Sequence, residues 1–354
     1  MRKNFYFTEK LFYVLALALF SFGVNFYYSH IGVNPMDNFV EYNGGYRILS
    51  GYIPFKDYWL ITGPLLEYLN AFFFTILGVS WKSFVFHSSL FNSLIALSTY
   101  FILLEFKLNK LPSFLYTVSF SLLMYPVVGT PFVDHHSTIF VILAYYLLII
   151  GIEKNNHNLF LFIPLLMCLA FLSKQTPSVY GLICLLFIFS FYIFFNLNKF
   201  INIIKPLIYG LVLAFLFLVI FFYFTGISIV DFFQQYILFA KTIGSYRISN
   251  YEFNIDNIFV QYKFIYILLF ILIFFLFKLP KKFTKNKKDF FVIISSVSLS
   301  LLLIFHQILT LNQIYIFFLI PFITALIHIY HHKIFKKNHI LLYFSILVCI
   351  YAVG

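Results

Sequence analysis

About eleven apolar runs, most of them close to twenty residues long, divide this chain: 11–29, 83–104, 111–129, 135–152, 159–173, 177–195, 206–225, 257–278, 290–309, 313–330 and 339–354. A helix rises about 1.5 Å per residue, so roughly twenty apolar residues cross the ~30 Å hydrocarbon core of a bilayer. Lipid offers no partner to backbone N–H and C=O groups, and a helix satisfies its own. The expected class is an all-α, polytopic helical membrane protein with about eleven spans. Composition agrees: 62% of the 354 residues are hydrophobic and 10% charged, where soluble domains carry about a quarter charged.

Lysine and arginine placement orients the spans. With the amino terminus inside, the inner segments hold 17 of the 24 basic residues and 4 of the 12 acidic ones. This is the positive-inside pattern. It also accounts for the net charge of +12, so no nucleic-acid partner is expected, whereas membrane lipids are. Residues 64–78 are apolar but short, and they carry Glu67 and Asn70. A span there would invert every later loop, so an interfacial or re-entrant helix is expected instead. The first run follows a short basic start and lacks a small-residue cleavage site, which reads as a retained span. Cys168, Cys184 and Cys349 fall inside apolar runs without a CxxC pair and read as small buried hydrophobes. The run KLPKKFTKNKK (278–288) reads first as a topology anchor.

Two outer loops are long, 30–82 and 226–256, and long ordered loops tend to carry function. In the first, a short helix is expected from Asp37 to about Ser50, ended at Gly51. Asp37 and Glu41 are four apart and share a face. Asp37 is read either as a helix cap or as a site residue. Asp134 stands at the outer start of a span, followed by His135 and His136, with a capping role as its alternative. Adjacent histidines cannot present to one metal as an i, i+4 pair does. Lys174 lies between two spans, beside Gln175 and Thr176. It suits a phosphate or carboxylate, and otherwise snorkels to head groups. Asp37, Asp134 and Lys174 come from three loops, yet the topology puts all three on one face. Asp231, Gln234, Gln235, Lys241, Arg247 and Glu252 of the late loop could close over them. No GxSxG, HExxH, Walker A or GxGxxG motif is present.

Asp37, then YRILSGYIPFKDYW and GPLLEYLNAFFFTILG, then Asp134 at the head of a span, then Leu172–Ser173–Lys174, follow one another in an order that resembles the GT-C glycosyltransferases. That group includes protein O-mannosyltransferases, the aminoarabinose transferases of lipid A and bacterial transferases of the family-39 type. The resemblance covers roughly residues 10–195. It departs at Asn38, where members often have an acidic residue, and at Thr62–Gly63, where some have a lysine. The resemblance implies a catalytic membrane core over 1–195, with 196–354 adding further helices and the outer loop 226–256. It implies an inverting transfer of a sugar from a polyprenyl-phosphate donor to an acceptor hydroxyl, on a lipid or glycan. The location implied is the extracytoplasmic side of a bacterial cytoplasmic (inner) membrane. Asp37 would be the base and Asp134 a second catalytic carboxylate. Lys174, Arg47 and Arg247 would bind the donor phosphate, and Glu41, Tyr46, Asp57, His135 and Gln175 would position substrate. Some members hold a divalent metal, and Asp37 with Asp134 would be its ligands; no other cofactor is implied. A transporter or flippase, or an O-antigen polymerase or ligase, is the alternative. A transporter expects midplane charges and repeats, and a polymerase expects its large outer loop late in the chain.

Overall fold

The computed structural model describes residues 2–31, 35–249, 254–278, 287–310 and 316–335, with side chains from residue 9 onward apart from those of 35 and 36. Among these residues there is no β-strand, and helices follow one another almost without interruption. They are α1 (Arg2–Tyr28), α2 (Pro35–Leu49), α3 (Leu65–Leu77), α4 (Trp81–Glu105), α5 (Lys110–Met124), α6 (Val133–Lys154) and α7 (Ile163–Ser173). There follow α8 (Gln175–Phe194), α9 (Phe200–Thr225), α10 (Ile229–Phe232), α11 (Ala240–Ser249), α12 (Lys263–Lys278), α13 (Lys287–Thr310) and α14 (Leu319–Phe335). Glu252, most of the 278–288 lysine run and the expected span at 339–354 lie outside the described residues.

Six described helices are long and apolar enough to cross a membrane: Glu9–Tyr28, α4, α6, α8, Leu197–Thr225 and α13. Three apolar helices are shorter, at Leu65–Leu77, His157–Ser173 and Leu319–Phe335. The expected span 339–354 and the start of 313–330 lie outside the described residues, and two other expected spans are shortened by local causes. The run 111–129 stops as helix at Met124, because Pro126 and Pro131 cannot continue it and Gly129 turns the chain at φ 81°. The run 257–278 opens as a π-turn over Asp256–Val260, so α12 begins only at Lys263. The expected helix after Pro35 is α2, and Gly51 follows it in the left-handed region at φ 86°. The apolar stretch 64–78 is the 13-residue α3, too short to span.

α6 is the centre of the molecule, with 83% of its most apolar window buried, and it packs on α7, α8, α13 and α4. α9 lies at the edge, with 11% of its most apolar window buried, and its mostly apolar surface suits lipid. Buried side chains from both halves of the chain form one core cluster, from Phe55 to Tyr330. Ion pairs at one end of the bundle join the start of α1 to α5 (Glu9–Lys110, 2.5 Å), α4 to α6 (Glu105–Lys154, 2.7 Å) and α13 to α14 (Asp289–Lys333, 2.6 Å). The opposite end gathers Asp134, Lys174 and His306.

Candidate functional site

The site starts from a break. After Ser173 the chain turns extended at Lys174 (φ −158°, ψ 142°) and restarts as α8. The Lys174 carbonyl accepts from Ser137 Oγ of α6 (3.3 Å) and Ser178 Oγ (2.8 Å), tying the break to the start of α6. Its ammonium donates to Asp134 Oδ2. Asp134 is in the first turn of α6 but makes no capping bond, because the N-cap is Phe132. The pairing with Lys174 replaces both the capping role and the snorkelling role. His306 Nε2, from α13, stands 3.6 Å from Asp134 Oδ1, and Thr176 Oγ1 is 3.1 Å from the same nitrogen. The carboxylate is buried. The connection that precedes α6 is pinned at Gly129, whose carbonyl accepts from Asn25 (2.9 Å), Ser29 (2.6 Å) and Ser88 (2.6 Å).

The first loop brings two more carboxyls to this end. α2 and α3 pack closely through a Gly44–Gly45 pair: a Cβ on Gly44 would lie 2.3 Å from Glu67 Oε1, and one on Gly45 would lie 2.6 Å from Asn70 Cβ. Glu41, one turn before Gly44, is buried within electrostatic reach of Glu67, Lys174, Asp134 and Asp37. Burial above all, then Glu67, pushes its carboxyl well above the usual carboxylate range, with Lys174 opposing. Burial likewise raises Glu67 to about 7, against hydrogen bonding from Tyr58 and the charge of Arg47. Tyr58 Oη donates to Glu67, and the Arg47 guanidinium sits 4.8 Å from the Tyr58 ring centroid. Asn70 donates to the Glu41 carbonyl (3.0 Å) and bonds His87 (2.7 Å), which meets His136 (3.0 Å), which in turn bonds Tyr125.

Three glutamine and tyrosine side chains stitch the loops over this cluster. Gln235 donates to the Phe55 carbonyl (2.6 Å) and accepts from Leu60 N–H (3.2 Å). Gln175 donates to the carbonyls of Ile61 and Tyr236, both at 2.8 Å, and Tyr236 Oη donates to the Phe171 carbonyl. Gly63 N–H donates to the Ser173 carbonyl (3.0 Å), an approach so close that a Cβ would lie 1.9 Å from Leu172 O. The late loop therefore does fold over the first. Between them is a cavity of about 160 Å³ lined by Lys174, Gln175, Thr62, Thr176, Tyr180 and Arg247, among others. Beside it Thr62 Oγ1 is buried without a hydrogen-bond partner.

The expected residues separate into groups. Asp134, Lys174 and Glu41 converge; Arg247 reaches the cavity with Lys174. Asp37 is exposed at the first turn of α2, above Glu41. Gln175 is on the cavity, but its amide N–H groups serve backbone carbonyls. Arg47 is held over Tyr58, away from the cavity lining. Asp57 turns back on its own loop, accepting from Ile53 N–H (2.7 Å), and Tyr46 points outward. His135 is buried beside Met124 O (3.0 Å). The two-aspartate metal site does not fit this donor set. Asp134 Oδ2 is taken by the Lys174 ammonium, Asp37 is exposed, and no group of three or more His, Cys, Asp or Glu side chains among the described residues could hold a metal.

Sequence reasoning missed His306, Tyr58 and the Asn70–His87–His136 chain. The available signal was polar side chains inside apolar helices, as in the His306–Gln307 pair of α13. No model of a known protein family matches the sequence, and no curated protein matches it.

Proposed function

We propose that this protein is a membrane-embedded glycosyltransferase of GT-C type, with about eleven spans. It moves a sugar from a polyprenyl-phosphate donor to an acceptor hydroxyl on the extracytoplasmic side of a bacterial cytoplasmic membrane. The observation that carries this reading is the cluster of Asp134, Lys174 and His306, with Glu41 in electrostatic reach, next to a cavity that Lys174 shares with Arg247. Two cations facing one small cavity suit a phosphate. An apolar groove of about 620 Å³ between α7, α8 and α9 begins at Phe171 and Ser178, within four residues of Lys174. A polyprenyl tail would lie there with its phosphate at the cations.

The acceptor oxygen attacks the anomeric carbon opposite the leaving phosphate. The new C–O bond forms as the C–O bond to phosphate breaks, inverting configuration without a protein nucleophile. Asp37, exposed in the first turn of α2, takes the acceptor proton. Burial favours the protonated form of Glu41, which argues against Glu41 as the base. Lys174 and Arg247 stabilise the charge that develops on the phosphate. Asp134 keeps the Lys174 ammonium aimed.

A purified full chain, incubated with a defined polyprenyl-phosphate sugar and a membrane acceptor fraction, tests this. Asp37→Asn is expected to lower transfer about 10²–10⁴-fold with unchanged membrane yield. Retained activity removes Asp37 from the base role; no transfer by the unaltered chain with any such donor removes the enzyme reading.

A further inference from the structure

A second polar cavity lies at the other end of the molecule and has no part in the site above. It has a volume of about 740 Å³, between the 3-10 turn His157–Phe162 and the first turns of α9. Asn155, Asn158, Asn202, His157, Lys205 and Tyr209 give it its polar surface, and no aspartate or glutamate lines it. Lys199 adds a second cation: its Nζ donates to Asn155 Oδ1 at 3.4 Å, and its charge acts on His157. The carboxylate of Glu105 is neutralised by Lys154 (2.7 Å). Amide, imidazole and ammonium donors without a competing carboxylate select an anion whose remaining groups accept hydrogen bonds.

Backbone features explain why the space stays open. Asn155 takes the left-handed conformation (φ 51°) and turns the chain out of α6. α9 then crosses the start of α7 at Gly210, where a Cβ would lie 2.2 Å from Leu161 O. Asn202, Lys205 and Tyr209 recur at helical spacing on one face of α9. Leu213, Leu216 and Ile220 continue that face, and all three are exposed. A cationic, amide-lined hollow at a helix end thus passes directly into a bare apolar stripe running along the span. That is the head-and-tail pattern of a phospholipid, and it sits at the lysine-rich end, where anionic lipid is attracted.

We infer that this cavity binds the headgroup of an anionic glycerophospholipid, with its acyl chains along the Leu213–Leu216–Ile220 stripe. The site does not depend on the glycosyltransferase reading. Native mass spectrometry of the full chain in nonionic detergent tests it, by titration with phosphatidylglycerol or phosphatidylcholine. Phosphatidylglycerol is expected to bind at least fivefold tighter. Lys199→Gln with Lys205→Gln is expected to weaken it more than tenfold, on the order of fivefold per lysine, while Lys205→Arg retains it. Equal binding of the two lipids overturns the proposal, as does unchanged binding by the double variant. Displacement of the lipid by millimolar inorganic phosphate also overturns it, in favour of a free-anion site. Should the double variant not fold, the lipid comparison and the phosphate competition on the unaltered chain still decide.

Discussion

Asp134 and Lys174 sit where water would otherwise solvate them, so each depends on the other. Removing one partner of a buried pair costs about 3–5 kcal/mol, whereas replacing both by apolar groups is often neutral. Asp134→Asn alone is expected to lower stability in detergent by roughly that amount. Asp134→Leu with Lys174→Met should recover most of the loss while leaving no transfer activity. Thermal unfolding of Asp134→Leu, Lys174→Met and the double measures this, and strictly additive losses would remove the coupling. Glu67 makes a pH prediction. Its carboxyl is raised from 4.5 to about 7, chiefly by burial, so the fold favours the protonated form. The resulting stability is fully present below about pH 4.5 and is lost as pH rises through about 7. Glu41 shifts in the same direction. Melting temperature should therefore fall across that window. Glu67→Gln, whose amide oxygen can still accept from Tyr58, should flatten the fall; an undiminished slope would contradict the assignment. Asp134 and Lys174 were legible in the sequence because charges inside a hydrophobic chain are few and each must be accounted for. His306 was not, since its partner lies far away along the chain and only the packing of α13 on α6 brings them together.

At the scale of elements, glycines set how closely the loops approach the helix ends. Gly63 lets the first loop lie directly on the end of α7, and Gly44 makes room for Glu67. Gly63→Ala must push the loop off the Leu172 carbonyl, opening the cover over Lys174. The expected result is faster proteolysis within residues 53–63 and a transfer rate reduced at least tenfold, with the membrane fraction of protein unchanged. Gly23→Ala in α1 meets nothing within 4 Å and serves as the neutral control. Helix α2 and its stop at Gly51 could be read from local chemistry alone, because a cap and a left-handed glycine are local signals. The early end of α5 and the late start of α12 could not be read from apolarity, which continues through both boundaries. Proline and the π-turn decide them instead. The stitching by Gln175 and Gln235 was equally hidden, since an amide side chain gives no sign in the sequence of which distant backbone it will serve.

The whole molecule is organised by its two ends. One end pairs its charges helix to helix, Glu9 with Lys110, Glu105 with Lys154 and Asp289 with Lys333, each worth little alone because one or both partners are exposed. The other end buries its charges around a cavity. The lysine bias of the sequence predicts that the paired end faces inside. This orientation can be tested with single cysteines at exposed positions, placed in a chain whose native cysteines are replaced by alanine. Lys56→Cys in the first loop should react with a membrane-impermeant maleimide on intact cells. Lys154→Cys, at the end of α6, should react only after the membrane is opened. The reverse pattern would put Asp37, Asp134 and Lys174 on the inside. A donor arriving with its phosphate at the outer surface could not then reach them, and the proposed transfer would fail with the topology rather than with any single residue.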